Sequence, residues 1–322
     1  MIVKSIYKKE CVLMITTVCL NPCIDRTVSI ADFNYGGMNR ALSARSDAGG
    51  KGVNVAITAA TLGLETECIT FLRKNGGKEI ENRLIANGVK SDAIWLEGSV
   101  RTNIKLFDQS KGVITEINES GAPVSEEDFL RMTELISEHA QESDFLVLSG
   151  SLPPGCPPEY YRDLITAVEG LNCRCVLDAD GPRLEAGLLA HPFMIKPNRP
   201  ELEAIVGHQL TTLNDVRDAA QTYIDRGVSI VAVSMGSDGA LITNGSETFY
   251  APRMPVEVKS TVGAGDAMIA GFTAGCLADL PLEEVFRKGV ACATASVMTE
   301  GTLLVDKAVY RSLLDRIEIR SI

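Results

Sequence analysis

Short apolar runs alternate with longer amphipathic segments along most of the chain. Apolar runs without polar alternation are typical of strands buried on both faces, and the segments between them have helical spacing. Ser125, followed three residues later by Asp128, marks one helix start. Strands are predicted at 14–20, 67–72, 145–148, 175–179, 193–195 and 230–234, and as a pair within 240–250. Helices are predicted at 50–62, 78–87, 125–139, 158–168, 199–206, 215–226, 264–278 and 282–298. This order predicts an α/β fold with a mostly parallel sheet covered by helices on both faces.

Two segments interrupt the alternation of strands and helices. The segments at about 25–48 and 97–118 are strand-like and polar on one face, and they lack helical spacing. We interpret both as parts of one small sheet that forms a lid over a binding cleft. The sequence shows neither an internal repeat nor a low-complexity linker, which predicts a single domain over residues 1–322. Because a strand begins cleanly at Met14, residues 1–13 are interpreted as an N-terminal extension or as the product of an upstream start codon.

The composition limits the fold class and the kinds of binding partner that the protein can have. Hydrophobic residues make up 45% and aromatic residues 5% of the chain, a balance that suits buried parallel strands better than an aromatic-cored β-sandwich. The net charge of −11 argues against nucleic acid or an anionic membrane as the main partner. The nine cysteines are scattered without zinc-ligand spacing, and no apolar run reaches membrane-spanning length. Since residues 1–13 also lack the apolar core of a signal peptide, we expect reduced thiols and a cytoplasmic protein.

The stretch 260–266, Ser-Thr-Val-Gly-Ala-Gly-Asp, precedes an apolar helix. Its two glycines allow a tight turn that exposes backbone N–H groups at the helix start, where anionic oxygen binds. Asp266 would repel a bound anion unless it takes a proton beside one. This pairing suits phosphoryl transfer to a hydroxyl group, because the amides hold the phosphate while the carboxylate deprotonates the attacking alcohol. The alternative is a glycine-rich turn in which Asp266 is an N-cap.

Other polar residues follow predicted strands at the edge where ligands bind to open α/β sheets. Asp25 suits hydrogen bonds from sugar hydroxyls, unless it is an unpaired surface acid. Residues 49–54, Gly-Gly-Lys-Gly-Val-Asn, lack the spacing of a P-loop. Their amides and Asn54 can bind hydroxyls while Lys51 supplies charge, or the glycines are merely permissive backbone. Arg101 can grip a phosphate already present on the substrate, unless it belongs to a solvated strand face.

Two further segments suit a nucleotide. Lys196 can reach nucleotide phosphates, and Asn198 with Glu201 can hold Mg²⁺ through its water ligands. Alternatively, Glu201 is a first-turn acid favoured by the helix dipole. Gly236 and Gly239 allow the backbone to approach a nucleotide closely, or they form an ordinary hairpin turn.

Together these motifs resemble the PfkB (ribokinase-like) carbohydrate kinase family. The Gly-Gly-Lys-Gly-x-Asn segment at 49–54, the Thr-Val-Gly-Ala-Gly-Asp segment at 261–266 and the Asn-x-x-Glu segment at 198–201 match motifs of that family. The similarity runs from about Met14 to the end of the chain. It implies a ribokinase-like three-layer α/β/α fold with a small β-sheet lid. It also implies ATP as the phosphoryl donor, with Mg²⁺ as its metal ion.

The resemblance implies roles for individual residues as well. Asp266 would be the catalytic base, and the amides of Gly263, Ala264 and Gly265 would form the anion hole. The substrate side would comprise Asp25, Gly49, Gly50, Lys51, Asn54, Arg101 and Ser151. The nucleotide side would comprise Lys196, Asn198, Ser234, Gly236, Gly239, Val290 and Thr294. Many relatives bind a monovalent cation, so K⁺ is expected at Ser260, Val262, Ser296, Thr299 and Gly301.

Within the family, the runs at 20–26 and 47–56 resemble the hexose-phosphate branch. The Asp25-Arg26-Thr27 form is most similar to members that convert fructose 1-phosphate to fructose 1,6-bisphosphate, which implies this phosphorylated ketohexose as acceptor. Tagatose 6-phosphate and fructose 6-phosphate are the alternatives. Cys23 departs from the small Ala or Ser usual at its position and should pack there without changing the chemistry. Relatives often dimerise through the lid, so a homodimer is also expected.

Two other classes of protein fit the sequence less well. A dinucleotide-dependent oxidoreductase needs a Gly-x-Gly-x-x-Gly motif after the first strand, and residues 20–22 begin no such motif. A non-catalytic sugar-phosphate sensor on the same fold is disfavoured because Asp266, Lys196 and Glu201 are all present.

Overall fold

The computed structural model describes residues 13–299 and 305–322. The strands are β1 Met14–Cys19, β2 Cys23–Ile30, β3 Ala41–Gly49, β4 Glu65–Asn75, β5 Lys90–Ser99, β6 Arg101–Asp108, β7 Val113–Asn118, β8 Phe145–Ser149, β9 Arg174–Asp178, β10 Met194–Ile195, β11 Ile230–Ser234, β12 Ala240–Thr243, β13 Thr248–Ala251 and β14 Arg320–Ser321. The helices are α1 Lys51–Leu62, α2 Gly77–Ala86, α3 Glu126–Ala140, α4 Tyr160–Ala167, α5 Gly181–Leu188, α6 Arg199–Val206, α7 Leu213–Ile224, α8 Ala264–Leu277, α9 Leu282–Val297 and α10 Lys307–Leu314.

A large sheet forms the middle layer, in the order β14-β13-β12-β11-β10-β9-β8-β1-β4-β5. The strands from β5 to β11 in this order are parallel, and β12, β13 and β14 extend the sheet in antiparallel fashion. Helices α3 to α7 pack on one face, and α1, α2, α8, α9 and α10 pack on the other. The predicted three-layer α/β/α arrangement with a mostly parallel sheet is confirmed. The chain continues from β1 to β4 on one side, whereas it continues from β8, the other neighbour of β1, to β9 on the opposite side. This reversal between β1 and β8 opens a crevice at the carboxyl ends of the two strands.

A separate small sheet has the order β3-β2-β6-β7. Asp25 of β2 pairs with Asp47 of β3 on one side and with Asn103 of β6 on the other. The two segments predicted for the lid supply these strands, but with a different boundary. Residues 97–99 belong to β5 of the large sheet, so the second contribution to the small sheet begins at Arg101.

Several elements carry no clear signal in the sequence. The strand β5 is an edge strand rich in polar and exposed positions, so it lacks the apolar run of the inner strands. The short helix α5 starts with Gly181 and Pro182, which in a sequence favour a turn. The helix α10 and the two-residue strand β14 were not predicted either. Ser125 does cap α3, since its side chain accepts from the Asp128 N–H as predicted.

Close packing of α8 on α9 fixes the position of the α8 start. From Asp266 to Leu277 every residue of α8 is buried, as in a helix enclosed on all sides. A Cβ on Gly271 would lie 2.6 Å from the carbonyl oxygen of Lys288, so glycine lets the two backbones approach. The cysteines of the described residues are free, as expected, and six of them are buried. Among the described residues, no helix has both the length and the apolar character needed to cross a bilayer.

Candidate active site

The start of α8 lies at the centre of the site. Gly263 adopts a left-handed conformation (φ 78°) and caps the helix, so the N–H groups of Ala264 and Gly265 lie in its first turn, without intrahelical acceptors. Asp266 follows in the same turn and is only 6% exposed. The cap is Gly263, and therefore the alternative interpretation of Asp266 as an N-cap is wrong.

Asn54 orients the Asp266 carboxylate. Its Nδ2 donates a hydrogen bond to Asp266 Oδ2 at 2.9 Å, between two buried side chains on α1 and α8. Gly50 caps α1 with a φ of 129°, and a Cβ there would lie 2.6 Å from Cys19 Sγ, so this turn requires glycine. Asn54 was expected to bind sugar hydroxyls. Its amide N–H instead holds the carboxylate in place, and a sugar contact by Asn54 stays a prediction.

Asp178 joins two of the predicted cations, although no motif pointed to it. It ends β9 at the ligand-binding edge of the sheet and is 2% exposed. Lys51 Nζ and Ser149 Oγ donate to Asp178 Oδ2 at 3.1 and 3.2 Å, and Lys196 Nζ lies 3.4 Å from Oδ1. The position of Asp178 at the end of a predicted strand was the one available signal. Lys51 and Lys196, which were assigned to the sugar and nucleotide sides, therefore share one counter-ion.

The same contacts give the two buried carboxylates, Asp266 and Asp178, different pKa values. Burial raises the pKa of Asp266 to about 6, with a further increase from the charge of Asp178, and Lys51 and Asn54 offset part of this. Burial also disfavours the charged form of Asp178, but Lys196 and Lys51 together overcome this and lower its pKa to about 2. Asp178 is thus ionised throughout the neutral pH range, whereas Asp266 gains or loses its proton slightly below neutral pH. A group poised in this way suits general base catalysis.

On the sugar side, the small sheet holds Asp25 firmly. Asp25 is buried, and Asn103 Nδ2 donates to its Oδ1 at 3.1 Å while Lys105 Nζ lies 3.4 Å from its Oδ2. A Cβ on Gly49 would lie 3.2 Å from Asp25 Oδ2, so the backbone of β3 also approaches the carboxylate. The unpaired surface acid considered for Asp25 is therefore wrong.

Arg101 and Ser151 meet near the end of β1. Arg101 Nε donates to the carbonyl of Asn21 at 3.0 Å, and its Nη1 donates to the carbonyl of Glu119 at 3.1 Å. Ser151 Oγ accepts from Asn21 Nδ2 at 3.2 Å. These two contacts place the guanidinium of Arg101 between the loop after β1 and the segment after β7, rather than on a solvated strand face.

A cavity of about 800 Å³ opens beside the start of α8. It is lined by the N-terminus of α8, the turn after β11, the start of α6 and one side of α9. Six of the predicted nucleotide-side residues line it: Asn198, Ser234, Gly236, Gly239, Val290 and Thr294. Lys196 is not one of the lining residues but lies beside one of them, since its Nζ would be 3.1 Å from a Cβ placed on Gly265. The volume falls in the range of small-molecule and cofactor sites.

Part of the cavity wall has no signal in the sequence. The segment after β13 contributes Pro252, Arg253, Met254, Val256 and Val258. Its apolar residues Met254, Val256 and Val258 stand at alternate positions, as in a strand, but the segment forms no regular element. Its place in the cavity wall is therefore visible only in the tertiary structure. Gly239 was predicted to let the backbone approach a nucleotide. The structure gives another reason for glycine at this position, because a Cβ would clash with the carbonyl of Ala251. The constraint comes from the neighbouring strand.

The Asn198 and Glu201 side chains form a capping box at the start of α6. Asn198 Oδ1 accepts from the Glu201 N–H at 2.8 Å, and Glu201 Oε2 accepts from the Asn198 N–H at 2.8 Å. The plain capping role considered for Glu201 is thus present. It leaves the second oxygen of the carboxylate for other ligands, at a place close enough to Lys51 for their charges to interact. Among the described residues, no cluster of three or more acidic, histidine or cysteine side chains forms a direct metal site. The residues fit a Mg²⁺ ion held through water and carried by nucleotide phosphates.

Most of the region expected to bind K⁺ is brought together. The N–H groups of Lys259 and Ser260 donate to the carbonyl of Val297, which places the turn before α8 against the end of α9. Val262 N–H donates to Ser260 Oγ at 3.2 Å, and Thr299 Oγ1 donates to the carbonyl of Ser296 at 2.7 Å. Gly301 lies outside the described residues. Occupancy of this region by K⁺ stays a prediction.

Comparison with known proteins agrees with this site. The pfkB family carbohydrate kinases match residues 15–307. The 1-phosphofructokinases of Bacillus subtilis and Rhodobacter capsulatus are 34% and 38% identical to the chain, with 89% and 87% of the chain and 93% and 89% of those proteins covered. Phosphofructokinase-2 from Escherichia coli in complex with substrates and products is 31% identical and superposes with a TM-score of 0.89, covering 95% of this chain and 99% of that one. The potassium complex of the same protein, also 31% identical, has a TM-score of 0.88 and covers 94% and 99%.

The chain therefore belongs to the pfkB family of carbohydrate kinases. Its fold is the one found in that family, and the resemblance inferred from the sequence motifs is confirmed.

Proposed function

We propose that the chain transfers the γ-phosphoryl group of ATP to fructose 1-phosphate and produces fructose 1,6-bisphosphate. The observation that carries this proposal is the buried Asp266 in the first turn of α8, next to the backbone N–H groups of the helix start. The Ala264 N–H makes only a long contact of 3.4 Å to the carbonyl of Thr261, and the Gly265 N–H follows it in the same turn. A base and an anion-binding helix start in one turn suit transfer of a phosphoryl group to a hydroxyl. The names of the two bacterial relatives support the choice of acceptor.

In this proposal Asp266 accepts the proton of the acceptor hydroxyl as its oxygen attacks the γ-phosphorus. The new P–O bond forms as the bond to the β-phosphate oxygen breaks, and ADP leaves with that electron pair. The amides from Gly263 to Gly265 stabilise the charge on the transferred group, and Lys196 lies beside them. Because the pKa of Asp266 is raised to about 6, the group is ionised near neutral pH and still basic enough to take the proton.

We also propose that the cavity beside α8 binds ATP. Bound Mg²⁺ would neutralise part of the phosphate charge, and Glu201 would orient its water ligands from the start of α6. A K⁺ ion beside the anion hole is part of the same proposal, supported by the potassium complex of phosphofructokinase-2 from Escherichia coli. A cytoplasmic location follows from the proposed substrates, which are metabolites of the cell interior.

The small sheet is proposed to act as the lid and to pair with a second copy of the chain. Its outer strand β7 is exposed along its whole length, and Val113, Ile117 and Leu42 of β3 are each more than half exposed. Apolar side chains concentrated on a projecting sheet are typical of a surface that another chain covers. Sedimentation velocity with the wild type and with Ile117→Lys tests this. A dimer that becomes a monomer in the variant is expected, and a monomeric wild type would contradict the proposal.

The proposed reaction is tested by coupled assays of ADP release with fructose 1-phosphate, tagatose 6-phosphate and fructose 6-phosphate. The highest kcat/KM is expected with fructose 1-phosphate. Asp266→Asn should lower kcat by about 10²–10⁴-fold with little change in KM, because it removes the base and keeps the side-chain shape. Asp218→Asn is the matched control, since Asp218 is exposed on α7 and pairs with its chain neighbour Arg217.

The outcomes separate the alternatives. A preference for tagatose 6-phosphate or fructose 6-phosphate would reassign the acceptor but keep the chemistry. Binding of all three sugar phosphates without turnover would identify a sensor. A near-normal kcat in Asp266→Asn would exclude Asp266 as the base.

A further inference from the structure

Asp178 is a buried anion without an assigned role in the proposed reaction. Its two oxygens receive Lys51, Ser149 and Lys196, which arrive from α1, β8 and the end of β10. Three separate elements therefore converge on one carboxylate at the edge where the substrates are proposed to meet. Such convergence fixes the direction in which each lysine side chain can extend.

Without Asp178, the carboxylate of Asp266 would be the nearby anion for both lysines. Lys196 Nζ lies against Gly265, one residue before Asp266, and the charge of Lys51 also acts on Asp266. Within the described part of the chain, neither lysine forms an ion pair with Asp266, whereas both pair with Asp178. An ion pair between lysine and Asp266 would occupy the carboxylate and weaken it as a base.

We propose that Asp178 is a positioning residue of the phosphoryl-transfer reaction, which holds Lys51 and Lys196 towards the phosphates and keeps both ammonium groups off the Asp266 carboxylate. This inference rests on the proposed function. Asp178 itself touches no reacting atom; it acts through the two lysines and through its own charge.

The charges that face Asp266 decide what removal of Asp178 would do. They are Lys51 on α1, Asp178 on β9 and Lys196 after β10, and the buried thiol of Cys19 at the end of β1 is a further titratable neighbour. The negative charge of Asp178 raises the pKa of Asp266, and both lysines lower it. Asp178→Asn removes the charge that raises this pKa and also releases the two cations that lower it. Both effects have the same sign, so the pKa of Asp266 should fall.

The test is the pH profile of kcat at saturating ATP, Mg²⁺ and fructose 1-phosphate. In Asp178→Asn the acidic limb should move to lower pH by on the order of one unit, and kcat on the plateau should fall at least about tenfold. Lys51→Met removes one of the cations and should move the limb in the opposite direction. Ser149→Ala is the matched control, because it removes a neutral hydrogen bond to the same carboxylate and should leave the limb in place.

A double variant distinguishes the electrostatic effect of Asp178→Asn from a failure of the single variant to fold. Asp178→Asn leaves the buried Lys196 and the partly exposed Lys51 without their counter-ion, whereas Asp178→Asn with Lys51→Met keeps the charge balance of the wild type. Its acidic limb should return towards the wild-type position, and far-UV circular dichroism checks that each variant is folded. An unchanged limb in Asp178→Asn despite a lower kcat would show a merely structural role. Recovery of kcat at high Mg²⁺ would show that Asp178 serves the metal ion, and either result overturns the proposal.

A readout that needs no catalysis separates this inference from the proposed function. The change in stability caused by Asp266→Asn depends on the pKa of Asp266, so it can be measured by urea denaturation with and without Asp178→Asn. A smaller change at pH 8 in the Asp178→Asn background is expected, even if fructose 1-phosphate proves not to be the acceptor. An equal change in both backgrounds would refute the positioning role.

Discussion

Replacement of Asp266 by Asn should make the protein more stable at neutral pH while it removes most of the activity. Burial raises the pKa of Asp266 from 3.8 to about 6, so ionisation of this carboxyl is harder in the folded protein than in the unfolded chain. The folded state therefore binds more protons than the unfolded state between these two values, and stability falls as the pH rises through them. A shift of about two units at about 1.4 kcal/mol per unit gives a cost of about 3 kcal/mol above pH 7.

The Asp266→Asn variant avoids this cost because its amide carries no charge and can still accept the hydrogen bond from Asn54 Nδ2. Urea denaturation of the wild type, Asp266→Asn and the control Asp218→Asn at pH 4, 5, 6 and 8 measures the effect. The variant should gain less than about 1 kcal/mol at pH 4 and about 3 kcal/mol at pH 8, with most of the change between pH 4 and 6. A gain in the free energy of unfolding that is independent of pH, or a loss at pH 8, would refute the raised pKa of the buried Asp266 carboxyl. The comparison requires equal m-values for the three proteins.

Four further substitutions test individual contacts. Asn54→Ala removes the donor that orients Asp266 and should lower kcat about 10- to 100-fold with a small effect on KM for ATP; equal kcat would contradict the orienting role. Glu201→Gln keeps an oxygen for the Asn198 cap, so thermal stability should stay unchanged while the Mg²⁺ concentration for half-maximal rate rises about 10-fold or more. Gly271→Ala forces α8 away from α9 and should cost about 1–3 kcal/mol in urea denaturation; a neutral effect would show that the helices separate easily. His139→Ala leaves the buried Glu67 carboxylate without its partner at 2.7 Å and should lower the free energy of unfolding by about 1–3 kcal/mol. No change in stability would show that the pair behaves like an exposed one.

The motifs of the sequence located most of the candidate site because their chemistry is local. The turn before α8 needs glycine at Gly263 for its backbone angle, and the apolar residues that follow define a buried helix. The same holds for the capping box of Asn198 with Glu201, which lies within one helical turn. By contrast, Asp178 looks like any acid at the end of a strand until Lys51 and Lys196 are seen to meet on it. Contacts between residues so far apart in the chain have no spacing that a single sequence reveals.

The order of residues along the chain was enough to predict the alternation of buried strands and helices, the two segments of the small sheet and the glycine-rich start of α8. These follow from periodicity, backbone angles and burial, which depend on residues within a few positions of one another. The folded chain was needed to show that Asn54 holds Asp266, that Asp25 is paired by Asn103 and Lys105, and that one buried acid contacts two lysines. Charge and burial act through space, so they depend on neighbours that are distant in the sequence. The basicity of Asp266 is therefore set by groups from α1, β9 and the end of β10 that the fold brings to the start of α8.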